Sequence, residues 1–444
     1  MLRDDHRVAT AVLTERIAPP TARAIASAVA RMIREDDLRV GDLLPKVRDL
    51  AEELKVSPST VSAAWTLLRQ RGLVSGRGKA GVEVASPTDL APVADSAKGA
   101  VPVRHDLRLV LPDAALLPRL DQALLHASAQ PGLSEYDKAG IAPALESASR
   151  KIWPYECESL ITASGSSDGL WLVLRALSVP GDRVLLEAPG SPPVIRIVRS
   201  LGLIPVEVET GPDGPCPAGL ARGLKSDPVA LVFQPRAQVP TGAVTSVERL
   251  DELATVLGRS RCAVIEFDDI GDVSTAPDRS IGAFLPGRTV VVKSFEKSYG
   301  PDLRMAVIGG TEHFISGIHG HMLLERQWTS RILQVTLAWL LTDEATQRQI
   351  RVSREAYQQR LAALSASMAG AGLPIDAKDG LCAWIPVRDE DAAVAASAAT
   401  GVLMYPGRHS FPSERAGFVR VATSRLVDGY DEVARVIRLA ADSA

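Results

Sequence analysis

The sequence predicts an α/β protein in two parts: a small helical head ending in a β-hairpin, then a larger domain on a mainly parallel sheet with a smaller C-terminal α+β subdomain. Three observations carry this. Residues 20–85 hold helical apolar periods followed by a glycine-rich turn. Residues 86–105, SPTDLAPVADSAKGAVPVRH, have no sustained period and read as a linker. Beyond it, short apolar runs (ITAS, DRVLLEAP, VALVFQ, CAVIEFDD, TVVVKSF) alternate with helix-length segments, the pattern of parallel strands buried on both faces. The domains are therefore drawn at 1–85, 86–105 (linker) and 106–444.

Bulk properties agree with that division. A chain of 444 residues, 46% apolar and 23% charged, is well-packed and globular and has room for two or three cores. No apolar run reaches the roughly 18 residues that span a bilayer. The opening MLRDDHRVATAVLTERI places acids where a signal peptide needs a basic start and an apolar core, so the expected location is cytoplasmic, with no membrane partner. Cys157, Cys216, Cys262 and Cys382 form no CxxC pair, which predicts reduced thiols and no metal site. The net charge of −3 divides into +3 over residues 1–85 and −6 over the rest, a modest hint of nucleic acid at the head.

Within the head, Leu50 and Leu54 lie one turn apart on a helix predicted over 47–54. Ser57 or Ser59 caps a second helix, with Pro58 in its first turn. Val61, Trp65 and Leu68 repeat at i, i+4 and i+7 and face inward, leaving Ser59, Thr60, Ser62 and Ala63 outside. Small polar side chains at a helix start suit entry into a major groove. Leu73–Val74 and Val82–Val84 frame a hairpin whose tip carries Arg77 and Lys79, within reach of a phosphate or minor groove.

The head resembles the winged helix-turn-helix of the GntR class through Leu44-Pro45, Arg48, Ser57-x-Ser-Thr-Val61 and Gly72-Leu73-Val74. The resemblance implies double-stranded DNA as partner, with Arg48 and the polar helix start (Ser57, Ser59, Thr60, Ser62) touching it. Pro58 stands where many relatives place an arginine.

In the larger domain four motifs follow in order: Gly165-Ser166-Ser167, Pro235–Gly242, Glu266–Asp272 and Ser294–Arg304. Amides at Gly165–Ser167 can cradle a phosphate at a helix start. A lysine at a strand's end, Lys297, is placed for burial to lower its pKa and prepare it to condense with an aldehyde. Arg304 offers a fork to a phosphate dianion, and Ser294 adds a hydroxyl.

This order is similar to fold-type I pyridoxal phosphate (PLP) enzymes, and together with the head to the MocR regulators, over about residues 106–444. The resemblance implies an aminotransferase-like domain in which Lys297 carries PLP, Ser294, Arg304, Ser166 and Ser167 hold its phosphate, and Arg420 meets an effector's carboxylate. Departures are equally plain. Val239 replaces an Asn at the cofactor's phenolic oxygen, Ser191 replaces a ring-side Tyr, and Phe267 falls where an Asp pairs with the pyridine nitrogen unless the match slides to Asp268. A ring nitrogen without a carboxylate is a weak electron sink. The expected protein is thus a homodimeric transcription regulator binding a small-molecule effector, a catalytically degenerate sensor with no catalytic residues assigned. An active aminotransferase with an accessory head, and a PLP-free regulator with a remodelled pocket, remain the alternatives. Asp269, Asp272 and Tyr299 are left without roles. His313, His319 and His321 are expected on a surface stretch whose helix Gly317 and Gly320 weaken, and the arginines at 348, 351, 354 and 360 on a solvated helix face.

Overall fold

A computed structural model describes residues 10–84 and 101–443, apart from 15, 18, 71–72, 76–80, 132, 134, 136–139 and 326–327. The chain divides into two compact units, one made of residues 1–96 with 199–202 and the other of 97–198 with 203–444.

The head contains α1 (Thr10–Thr14), α2 (Ala22–Arg34), α3 (Val47–Glu53) and α4 (Pro58–Gln70). Thr21 caps α2, its hydroxyl accepting from the Ala24 amide at 3.2 Å. Ser57 does the same for α4 through the Thr60 amide. Val61, Trp65 and Leu68 are fully buried together with Ile25, Val29, Met32 and Leu50, as their helical spacing predicts. Strand β1 (Val74–Ser75) pairs antiparallel with β2 (Glu83–Val84), the base of the predicted wing; Arg77 and Lys79 lie outside the described residues.

The second unit begins with β3 (His105–Asp106), so the last residue of the predicted linker already pairs, with β13 (Val402–Leu403). A two-residue strand is too short for periodicity to reveal. The main sheet comprises β4 (Ser159–Ala163), β5 (Arg183–Ala188), β6 (Ile204–Gly211), β7 (Gly214–Pro215), β8 (Ala230–Phe233), β9 (Ala263–Asp268), β10 (Thr289–Ser294) and β11 (Ala306–Gly310), in the order β4-β11-β10-β9-β8-β5-β6-β7. The pairings β10–β9, β9–β8, β8–β5 and β5–β6 are parallel, whereas β11 runs antiparallel to both β10 and β4. Nearly every residue of β8, β9 and β10 is buried, which explains their continuous apolar runs. The smaller subdomain is a three-stranded antiparallel sheet of β12 (Cys382–Pro386), β15 (Phe418–Ala422) and β14 (Tyr405–Pro406), packed with the helices Glu344–Gly370 and Tyr430–Ala441.

Two expectations are corrected. The three histidines ride on a 14-residue helix, Glu312–Glu325, that runs through both glycines. Each glycine costs only about 0.5–1 kcal/mol there, which the helix's length and packing absorb. The arginine-rich helix is not simply a solvated face: Arg354 donates to the Asp272 carbonyl at 2.7 and 3.0 Å, and Arg360 pairs with Asp113 at 2.8 Å. Among the described residues no helix is long and apolar enough to cross a membrane.

Candidate functional site

Register gathers the site. Ser294 ends β10 opposite Ala306, which begins β11 opposite Ala163, the end of β4. The chain segments leaving these three ends are therefore neighbours: Gly165–Ser166 after β4, and Lys297 through Arg304 between β10 and β11. One strand further, Lys293 sits directly across from Asp268 at the end of β9, which brings Asp269 to the same edge. Gly169 keeps the helix Ser166–Leu177 close to the sheet, since a Cβ there would come within 2.8 Å of Val292.

At this corner the Lys297 ammonium donates to Asp269 at 2.6 Å, and the Ser166 hydroxyl donates to the other oxygen of that carboxylate at 2.7 Å. Gly165 opens the helix with φ +93, a left-handed conformation that a side chain would strain. A Cβ at Gly165 would lie 3.2 Å from the Glu296 carboxylate and 3.8 Å from the Arg304 guanidinium carbon. Arg304, itself left-handed at φ +45, pairs with Glu296 at 2.8 Å. Ser294 is buried, its hydroxyl accepting from the Glu296 amide at 3.4 Å, and Ser167 is exposed on the helix's first turn. Lys297 and Ser166 thus meet through Asp269, and Arg304 stands beside Gly165 through Glu296. Asp269 and Glu296, one left without a role and the other not singled out, are what they touch. Glu296, next to Lys297 in the chain, and Asp269, next to Asp268, were the available signal.

Asp268 is placed differently. Arg236 holds it in a bidentate pair at 2.7 and 3.3 Å, Lys293 approaches at 3.3 Å, and the Gly271 amide donates at 3.1 Å. Lys293 also meets Asp278 at 2.5 Å and Asp272 at 3.5 Å, forming a buried cluster of two cations and three acids. Burial works to raise the Asp268 pKa, but the two cations outweigh it and hold the carboxyl below the usual range. Phe267 alternates to the opposite strand face and is buried. Val239 is buried, its amide donating to the Gln234 side chain at 3.1 Å. Ser191 lines a small cavity with Glu187 and Gln234, where one Glu187 oxygen and the Gln234 amide nitrogen are unpaired.

Arg420 is buried on β15 over the Tyr405 ring at 4.2 Å, donating to the Arg108 carbonyl at 2.7 Å while its Nε has no partner. Burial lowers its pKa, and the neighbours that act to raise it are Cys382 and Tyr405 rather than a carboxylate. Such a guanidinium is ready for an incoming carboxylate. In the head, Ser57, Ser59 and Ser62 are exposed at the start of α4, Thr60 is half-buried and Arg48 is exposed on α3. The Ser57 hydroxyl is hydrogen-bonded to those of Ser59 (2.7 Å) and Thr60 (2.8 Å), fixing one polar tip.

Residues 110–436 match the family described as Aminotransferase class I and II, and residues 21–84 match the Bacterial regulatory proteins, gntR family. The chain is 31% identical over 415 residues to the Vitamin B6 salvage pathway transcriptional repressor PtsJ of Salmonella typhimurium, covering 92% of this chain and 95% of that one. It is 27% identical to the HTH-type transcriptional regulator TauR of Rhodobacter capsulatus, covering 95% and 98%. Among solved structures, the kynurenine aminotransferase of Pyrococcus horikoshii shares the larger fold with a TM-score of 0.70 at 18% identity, over 77% of this chain and 90% of that chain.

Proposed function

We propose a sensing role from one premise: this chain belongs to the aminotransferase class I and II family and, by its GntR-family head, to the MocR-type transcription regulators. It is a DNA-binding transcription regulator. Its large domain binds PLP, or a related small molecule, with little or no transaminase turnover. The observation that carries this reading is the Lys297–Asp269–Ser166 chain beside the Gly165 turn and Arg304. A relative named for vitamin B6 salvage supports it.

The residues present fit the phosphate and aldehyde ends of PLP. Gly165 leaves a hollow that a Cβ would fill, and Arg304, Ser166 and the helix amides are anion donors. When bound, PLP supplies an electrophilic aldehyde and a conjugated ring. Lys297 is the amine that would face that aldehyde, oriented by Asp269 2.6 Å away. Arg420 orients an effector's carboxylate. The ring side is poorly equipped for turnover. Phe267, Val239 and Ser191 offer no carboxylate or amide to the ring, and Asp268 is committed to Arg236 and Lys293. The protein acts as a cytoplasmic homodimer whose two heads read paired half-sites.

Titrating purified protein with PLP and recording the visible absorbance tests the site. A new band is expected in the wild type and not in Lys297→Ala. No band in the wild type, or the same band in both, contradicts the reading.

A further inference from the structure

Three side-chain donors beside Gly165, namely Arg304, Lys297 and Ser166, already have a carboxylate. Arg304 pairs with Glu296 at 2.8 Å, while Lys297 and Ser166 share Asp269 at 2.6 and 2.7 Å. The Glu296 carboxylate lies over the Gly165 backbone, 3.2 Å from where a Cβ would stand, and its side chain is only 18% exposed. Two cations and two acids leave the corner neutral before any ligand arrives. A phosphate dianion would meet Glu296 at close range in a partly desolvated place, where like charges repel far more strongly than in water.

We propose that Glu296 is the residue that sets this site's preference between phosphorylated and unphosphorylated ligands, by competing with phosphate for Arg304. This rests on the reading of Lys297 as the cofactor lysine. Glu296 occupies Nη1 of Arg304, so a phosphate entering the fork shares the guanidinium with a carboxylate or displaces it, and the site binds phosphorylated aldehydes weakly enough to follow their concentration. An aldehyde without phosphate reaches Lys297 without disturbing that pair. The reverse arrangement, a cradle of donors with no internal acid, would hold PLP permanently and could not report on its level.

The test measures dissociation constants by absorbance titration of the full chain, with PLP and with pyridoxal, in wild type, Glu296→Gln and Glu296→Ser. Both variants are expected to bind PLP at least tenfold more tightly, about 1.4 kcal/mol, with pyridoxal unchanged within twofold. Unchanged PLP affinity overturns it while leaving the Lys297 reading intact. Equal tightening of both ligands overturns it as well, because Glu296 would then act on the lysine and not on the phosphate. If neither ligand gives a band in any of the three proteins, the proposal and the Lys297 reading fall together.

Discussion

Lys293 lies directly across the β9–β10 pairing from Asp268, its ammonium 3.3 Å from a carboxylate that Arg236 also holds, and both side chains are all but excluded from water. Charges so deeply buried are tolerated only in company. Removing one partner leaves the others uncompensated, at a cost of about 3–5 kcal/mol. Lys293→Met should lower the denaturant midpoint of the large domain accordingly. Lys297→Met, at a more accessible pair, should cost less. Equal losses in the two variants would contradict the distinction drawn between these lysines.

Burial pushes the Glu187 carboxyl up to about 8, and the Glu266 carboxyl likewise to about 8, from ordinary values of 4.5. Between those pH values the folded chain keeps protons that the unfolded chain has lost. The stabilisation is therefore full below about pH 4.5, declines as pH rises, and is gone above about pH 8. Thermal melting between about pH 6 and about pH 8.5 should show a falling Tm, and Glu187→Gln should flatten part of that fall. An unchanged slope in the variant would exclude Glu187 as a source.

Arg420 has an unpaired Nε and no neighbouring acid among its hydrogen-bond partners. A buried guanidinium without an anion is expensive to keep. Arg420→Met, similar in length and apolar, should leave the Tm unchanged or raise it. A loss above about 2 kcal/mol would show that the arginine serves packing and the Arg108 contact instead of an effector.

At the head, Arg48→Ala should weaken binding to all duplexes alike and lower the salt slope by about one. Ser59→Ala or Thr60→Ala should shift sequence preference more than salt response, because these hydroxyls form the tip of α4. Lys79→Ala, outside the described residues, is expected from its sequence position to behave like Arg48→Ala. Fluorescence anisotropy across a salt series separates the two patterns. Identical responses would remove α4 from the groove.

Much of this was legible in the sequence, for physical reasons that also mark where reading stops. Val61, Trp65 and Leu68 announce their helix because a 3.6-residue period and full burial coincide. Lys297, Ser294 and Arg304 are close in the chain, so their spacing survives folding almost unaltered. The choice between Phe267 and Asp268 turns on strand register, where one residue reverses the face, and no local signal resolves it. Arg236 and Arg354 reach acids or carbonyls 32 and 82 residues away, contacts that only the assembled sheet creates. The Glu296–Arg304 pair depends on the left-handed turn at Arg304, which an arginine does not advertise.

If the lysine corner of the large domain governs how the head engages DNA, PLP must alter DNA binding through Lys297. Footprinting over genomic fragments, with and without PLP, in the wild type and in Lys297→Ala, addresses it most directly. The account predicts site-selective protection by both proteins and a change in its extent or strength on adding PLP in the wild type alone. Absence of any preferred site, or the same PLP response without Lys297, would contradict it.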